Sequence, residues 1–321
     1  MSVTRRDLLT GAMAVIASPA LGQDANWPQR PLRILIPTAP GGSPDIASRL
    51  LGDKIAGRIG QPFVVESNTI GGGVGGLQIV AKTPDGHTFA MLTGGFATQA
   101  ATLKNLPYEP LKDFIFVTSV VRYPMVYAVA PDSPIKSFKD MVDRARAEPN
   151  KVSYGIVGAG NVYHLLGKWI DNAGGIEMNA VPYRGTANAL QDVLGGRVDV
   201  LSDASTSAIP RIKSGQLRAL AVSSAEPYPL LPGVPTMAAT IPGIKVESWL
   251  GLAAPVGTPQ PIIDRLNSEF RWALDLPEIK KWAEESGVVP APSTPQEFRA
   301  RVESDVRQWT EIVIRNNISV Q

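Results

Sequence analysis

Short apolar segments alternate with amphipathic ones along almost the whole chain, and this alternation restricts the fold more than any other feature. Residues 152–170 show the pattern, since VSYGIVGAGNVYHLLGKWI combines an apolar segment, a glycine-rich turn and apolar residues at helical spacing. Asn161 stands just before that helix, where an N-cap residue belongs. Strands that alternate with helices predict an α/β fold.

A second strand, glycine turn and helix of the same design lie near the start of the chain. The turn at 37–45 reads PTAPGGSPD, and it predicts Ser43 as the N-cap and Pro44 as the first helical residue. Each turn leaves free backbone N–H groups at a helix start, where an anion is the favoured ligand. Alternatively, the glycines only permit tight turns. Two such turns on facing domains would hold one anionic group from both sides.

The length of 321 residues suggests roughly two domains. A proline after the strand at 125–131 and the Gly/Pro-rich stretch 248–261 are typical of crossings between domains. We therefore expect a discontinuous first lobe, 27–128 plus 250–321, and a continuous second lobe, 129–249. The last helices then return to the first lobe, and the final helix begins at a capping box, Thr294 to Glu297.

The N-terminus resembles an export signal of the twin-arginine type. Arg5 and Arg6 precede an apolar stretch from Leu8 to Leu21, and cleavage after Gly22 fits the small residues there. An uncleaved membrane anchor is the alternative, but the apolar stretch is shorter than the roughly 20 residues that a span needs. We therefore expect residues 1–22 to be removed and the mature protein to be soluble in the periplasm.

Composition argues against several classes of enzyme and of nucleic-acid-binding protein. The chain has no cysteine, which excludes disulfides, thiolate metal sites and cysteine nucleophiles. Its two histidines, His87 and His164, leave little material for a catalytic triad or a zinc site. A net charge of +2 without a basic cluster argues against a nucleic-acid partner. We expect no catalytic residue, no metal and no cofactor.

Three further features have a functional and a structural interpretation. GGGVGG at 71–76 formally fits a dinucleotide-binding motif, but a flexible loop or a close helix–strand contact is favoured because no well-placed acidic residue follows. His164 could contact a ligand or lock the turn as a partly buried residue. Asp203 ends an apolar strand, where carboxylates often face a ligand crevice, or it is a surface carboxylate.

Several longer motifs resemble one known family. They occur in order and include IPTAPGGSPDIASRLLG, KTPDGHTF, LPYEPLKDF, VSYGIVGAGNVYHLLG, VPYRGTANALQDVLGGRVDV and SWLGLAAPVGTP. The series is similar to the Bug family of periplasmic solute-binding proteins, the tripartite tricarboxylate transporter receptors of the TctC type. It extends from about Trp27 to Ile318, and many separate motifs agree in spacing.

This resemblance implies a two-lobed Venus-flytrap fold of the type II periplasmic-binding-protein kind. It also implies a monomeric receptor that binds a small carboxylate between its lobes and delivers it, unaltered, to the membrane components of a tripartite tricarboxylate-type transporter. In such proteins loop backbone groups, hydroxyls and water hold the carboxylate. The ligand-binding positions carried over from the family are Thr38, Gly42, Ser43, Asp45, Gly94, Phe96, Thr98, Gly158, Gly160, Asn161, His164, Thr186 and Asp203.

The sequence departs from the family pattern at the rim of the expected cleft. Thr38 and Ala39 replace an aromatic residue and a proline, Asn161 replaces a serine or threonine, and the loop ESNTIGGG lacks an arginine near Thr69. These changes leave the ligand's identity open. Two other functions also stay open, a sensor that docks on a signalling receptor and an exported α/β enzyme.

Overall fold

The computed structural model describes residues 27–157, 161–183, 185–316 and 318. The signal predicted at 1–22 lies outside these residues. The strands are β1 (Leu32–Ile36), β2 (Phe63–Ser67), β3 (Thr88–Thr93), β4 (Phe114–Val129), β5 (Ser153–Val157), β6 (Asn179–Tyr183), β7 (Val200–Ala204), β8 (Arg218–Val222), β9 (Glu247–Pro255) and β10 (Val289–Pro290). The helices are α1 (Ser43–Ile59), α2 (Val74–Ala81), α3 (Gly95–Thr102), α4 (Phe138–Ala147), α5 (Val162–Gly174), α6 (Thr186–Leu194), α7 (Ser205–Lys213), α8 (Gln260–Leu274), α9 (Pro277–Glu285) and α10 (Pro295–Arg315).

Strand β4 is 16 residues long and belongs to two sheets. Its first part pairs with β9, and its last residues pair with β7 on one side and β8 on the other. The strand order is β2-β1-β3-β9-β4-β7-β5-β6, with β8 and β10 beside β4. The first sheet therefore lies on the β9 side of β4 and the second on the β7 side.

The carboxyl ends of the parallel strands in the two sheets point towards each other. Strand β3 ends at Thr93, which pairs with Leu250 of β9. Leu250 also pairs with Val121 of β4, so β3 ends level with Val121. Strand β7 runs antiparallel to β4 and ends at Ala204, opposite Met125. The two edges are separated by about 13 Å along β4, at about 3.3 Å per residue. Helices α1 and α3 begin at the first edge, and α5, α6 and α7 begin at the second.

Apolar residues build a core on each side of β4. One cluster includes Phe89, Phe270 and Leu252 beneath α1 and α8, and another includes Tyr127, Tyr154 and Leu166 beneath α4 and α5. The C-terminal helix α10 contacts both α3 and α5. The fold thus joins the two sheets through a shared strand and a shared helix.

Several local predictions are confirmed and one helix start is wrong. Asn161 accepts hydrogen bonds from the N–H groups of Tyr163 and His164, and Thr294 with Glu297 forms the capping box. Helix α1 begins at Ser43 with Gly42 as its N-cap, so Ser43 is the first helical residue rather than the cap. The predicted ligand positions Gly94, Phe96 and Thr98 lie at the start of α3, and Gly94 already has helical backbone angles.

The strand pairing changes close to the boundaries predicted for the lobes. Met125 is the first residue of β4 that pairs with the second sheet, and Glu247 is the first residue of β9 in the first. The exact division into 27–128 plus 250–321 and 129–249 stays a prediction. Among the described residues, no helix is both long and apolar enough to cross a membrane.

Candidate functional site

The turn after β1 brings four of the predicted ligand residues to the edge of the first sheet. Gly42 and Ser43 open α1, and Gly41 before them has a positive φ of 84°. The Thr38 hydroxyl is buried and has no hydrogen-bond partner among the described residues. A buried hydroxyl without a partner costs free energy, so this group is a candidate donor to a ligand.

Asp45 shapes this turn from within. Its side chain is 6% exposed, and its carboxylate accepts hydrogen bonds from the Gly41 N–H at 2.9 Å and from the Arg49 guanidinium at 2.9 Å. The carboxylate therefore satisfies backbone and side-chain donors of α1 and its turn. Its geometry favours a positioning role over direct ligand contact.

The start of α3 contributes backbone groups more than side chains. Gly94 and Gly95 are half-exposed, whereas Phe96 is 3% exposed and packs against Tyr108 and Phe114. The Thr98 hydroxyl donates a hydrogen bond to the Gly95 carbonyl at 3.0 Å. Phe96 and Thr98 thus hold α3 in place with its N-terminus at the edge of the sheet, where the Gly95 N–H donates to the Thr93 hydroxyl at 3.2 Å.

A cavity of about 100 Å³ lies at this edge. It is lined by Pro37, Thr38, Gly72, Leu77, Leu92, Thr93, Gly95, Phe96 and Gln99. Since a water molecule has a share of about 30 Å³ in the liquid, the cavity has room for one carboxylate group but not for a whole metabolite.

The three successive glycines Gly71, Gly72 and Gly73 have positive φ, and a Cβ on Gly73 would lie 2.3 Å from the Cβ of Pro37. The glycine motif at 71–76 therefore serves a close contact.

In the second sheet, the start of α5 presents Asn161 and His164. The Asn161 side-chain oxygen Oδ1 caps the helix and accepts a hydrogen bond from the Tyr163 N–H at 3.1 Å. His164 is half-buried, and burial followed by the charge of Lys168 lowers the pKa of its imidazole. A neutral imidazole leaves the helix N-terminus as the positive feature of this turn. Gly158 and Gly160 lie outside the described residues.

Asp203 is buried at the end of β7, so the interpretation as a surface carboxylate is wrong. It is 3% exposed, and it accepts hydrogen bonds from the Ala204 N–H at 2.8 Å and from the Ser207 hydroxyl. The Thr186 side chain at the start of α6 lies near this carboxyl and favours its charged form. Burial raises the pKa of Asp203 despite these donors. The structure thus brings Thr186 and Asp203 together.

Three polar residues between the two sheets were not predicted as site residues. Tyr123 of β4 lies opposite Ser248 of β9. A Cβ on Gly94 would approach the Ser248 hydroxyl to 2.5 Å, which places Ser248 beside the start of α3. Tyr163, the second residue of α5, packs like Tyr123 against the core beneath α4 and α5. The position of Tyr163 two residues after Asn161 is the one sequence signal that could have identified it.

In the described part of the chain, no group of three or more His, Asp or Glu side chains is placed to hold a metal ion. The arrangement instead offers helix N-termini and hydroxyls, with the two buried acids Asp45 and Asp203, on two edges that face each other. Such groups bind an anion through N–H and O–H donors.

The comparisons with known proteins agree on one family. The model of the tripartite tricarboxylate transporter family receptor, TctC, matches residues 47–318. The UPF0065 protein in the tcbD–tcbE intergenic region of Pseudomonas sp. strain P51 is 32% identical, with 99% of this chain and 96% of the relative covered.

Two similar structures come from Rhodopseudomonas palustris. Rpa4515, solved with adipate, is 31% identical with a TM-score of 0.80, and the match covers 91% of this chain and 99% of that one. MatC, solved with bound malate, is 28% identical with a TM-score of 0.76, and the match covers 89% and 100%. The chain therefore belongs to the tripartite tricarboxylate transporter receptor family, as its motifs predicted, and has the two-lobed α/β fold of periplasmic binding proteins.

Proposed function

We propose that this protein is an extracytoplasmic receptor that binds a small carboxylate between its two sheets and delivers it, chemically unaltered, to a tripartite tricarboxylate-type transporter. One observation carries the proposal. Strands β3 and β7 end at Thr93 and Ala204, at opposite sides of the gap. The helix N-termini at these two strand ends face each other across about 13 Å along β4. That gap suits a small metabolite with an acid group.

The local groups support a carboxylate in particular. The unpartnered Thr38 hydroxyl and the cavity of about 100 Å³ beside it offer a place for one acid group on the first edge. The N-terminus of α6, which has no side-chain cap, adds donors on the second. Donors of this kind need no buried cation, so no charge is left uncompensated when the site is empty.

The relatives support the same ligand class and location. Rpa4515 was solved with adipate and MatC with malate, which are both dicarboxylates. The paired arginines Arg5 and Arg6 before an apolar stretch support export. We infer a monomer that works in the periplasm and meets the membrane components of the transporter with a ligand bound.

Binding is proposed to close the lobes. A ligand that touches both edges favours the closed form by the contacts that only this form provides. A dissociation constant of 1 µM corresponds to about 8 kcal/mol. Several charge-assisted hydrogen bonds at about 1.5–3 kcal/mol each supply a free energy of that size.

The test is a thermal-shift and calorimetric screen of protein that lacks residues 1–22. The panel contains adipate, malate, other linear and aromatic carboxylates, and the neutral amides of the same skeletons as matched controls. At 100 times its dissociation constant, a true ligand adds about 2.7 kcal/mol to the free energy of unfolding. We expect the acids to raise the melting temperature and the amides not to.

Mass spectrometry of the released ligand then separates receptor from enzyme. We expect the carboxylate to be recovered at its starting mass. The proposal fails if no acid in the panel stabilises the protein, if the amides stabilise it equally, or if the ligand is converted.

A further inference from the structure

We propose that Arg301 of α10 sets the affinity of the receptor without contacting its ligand, because its hydrogen bonds hold the two lobes at the open angle of this structure. This inference rests on the proposed function, in which the lobes close on the ligand, and adds which contacts oppose the closing.

Helix α10 is fixed in both lobes. Phe298 and Val302 of its first half pack in a core of the first sheet. Trp309 and Ile312 of its second half pack in the core beneath α4 and α5. Close-packed apolar cores resist deformation. We therefore expect a change in the angle between the lobes to act on the polar contacts between these two halves.

Arg301 is the centre of those contacts. Its Nε donates to the two carboxylate oxygens of Asp305 at 3.1 Å each, and its Nη2 donates to the Glu247 carbonyl at 2.8 Å. Asp305 also accepts from the indole N–H of Trp249 at 2.8 Å. The Glu247 carboxylate pairs with Arg122 of β4 at 2.5 Å. Arg301 thus joins α10 to β9 and, through Glu247, to β4.

The surroundings make this network strong and leave it room to rearrange. The side chains of Glu247 and Asp305 are each only 15% exposed, so their contacts are screened less than those of surface ion pairs. A cavity of about 250 Å³ borders the network and separates part of α10 from the residues that lead into β9. Its lining includes Lys245, Arg301 and Gln308. Open space on this side allows the polar contacts to break while the cores stay packed.

The angle seen here is an open one. The residues that line the cavity of about 100 Å³ at the first edge lie between Pro37 and Gln99, in the first sheet and its helices. None of the described residues of the second edge lines it. A ligand held from both edges requires a smaller angle, whereas the contacts of Arg301 are complete at this one. The network therefore favours the open form.

The test is Arg301→Met, which keeps the unbranched stem and a good helix former but removes the donors. The probe is adipate or malate, whichever binds the wild type more tightly by titration calorimetry. We expect the variant to bind it about threefold to tenfold more tightly, because the apparent dissociation constant falls as the binding-competent fraction rises. The variant should nevertheless unfold at lower urea, since Asp305 loses its cation. A merely structural loss would not tighten binding.

Small-angle X-ray scattering provides a second readout that needs no ligand. The radius of gyration of the ligand-free variant should be smaller than that of the ligand-free wild type. Asp305→Asn keeps an oxygen acceptor for Trp249 but removes the charge that Arg301 contacts, so it should shift affinity and radius in the same direction. This second variant keeps the inference testable if Arg301→Met does not fold.

Arg299→Met is the matched control. Arg299 lies on the same helix and forms an ion pair of the same spacing with Glu303 at 2.8 Å, but its other hydrogen bond goes to the Leu111 carbonyl rather than to β9. It should keep the wild-type affinity and radius. The inference is overturned, while the receptor function stands, if both network variants bind the acid no more tightly than the wild type or if their radii of gyration equal its own. If no acid of the panel binds the wild type, the receptor function itself has failed.

Discussion

Replacing Thr38 by valine should stabilise the empty protein and weaken its ligand binding. The Thr38 hydroxyl is buried and has no hydrogen-bond partner among the described residues. An unsatisfied buried hydroxyl costs about 1–3 kcal/mol, and valine has nearly the same shape without that group. We therefore expect the free energy of unfolding of the empty protein to rise by about 1 kcal/mol, which raises the melting temperature by about 2–4 °C.

Binding should change in the opposite direction. A hydrogen bond to a charged carboxylate contributes about 1.5–3 kcal/mol, so Thr38→Val should raise the dissociation constant of the best acid by roughly 10- to 100-fold. Urea unfolding of the empty protein measures the first effect, and titration calorimetry measures the second.

Thr118→Val is the matched control. Its hydroxyl is also buried, but it donates to the Ser119 and Ser293 carbonyls at 2.9 and 3.0 Å. Thr118 lies about 10 Å along β4 from the edge at Val121, on the side away from the proposed cleft. This variant should lose stability and keep its affinity. The reasoning is refuted if Thr38→Val destabilises the empty protein as Thr118→Val does, or if it binds the acid as tightly as the wild type.

Two other predictions concern stability. Gly73→Ala should lower the free energy of unfolding by more than about 2 kcal/mol, because φ is +99° and the new Cβ would lie 2.3 Å from the Cβ of Pro37. At Gly57 in the last turn of α1, nothing lies within 4 Å of an added Cβ, so Gly57→Ala should be neutral or stabilising in the same urea assay. Equal losses of stability in the two variants would contradict this. Burial raises the pKa of Asp203, so the folded state binds its proton more tightly than the unfolded chain, whose pKa is about 4. Wild-type stability should therefore fall relative to Asp203→Asn as the pH rises from about 4 through the raised pKa; parallel pH profiles from urea unfolding would exclude this.

Local signals in the sequence predicted the elements that hold the site. The N-cap at Asn161 and the capping box at Thr294 depend on residues two or three positions apart, so the sequence determines them directly. The start of α1 was displaced by one residue because Gly42 takes the cap conformation that Ser43 could also have adopted.

The pairing of Tyr123 with Ser248 between the two sheets could not be predicted, because it depends on contacts between distant segments. Tyr123 and Ser248 are 125 positions apart and meet only through the register of β4 with β9. The burial of Asp203 likewise depends on donors from α6 and α7, Thr186 and Ser207. Periodicity identifies which residues are apolar, but it does not indicate which polar residues a long crossing strand brings together.

The crossing strand also explains how binding and closing could be coupled without a long pathway. Successive residues of a strand point to opposite faces, so Tyr123 and Ser248 share one face. Arg122 and Glu247 share the other, where they form an ion pair at 2.5 Å, and Arg301 of α10 donates to the Glu247 carbonyl at 2.8 Å. The shared strand β4 and the shared helix α10 thus meet at Arg122 and Glu247, so a change in the angle between the sheets acts on this contact. In the proposed receptor, the contact lies beside the gap between the two edges, one position along each strand from Tyr123 and Ser248.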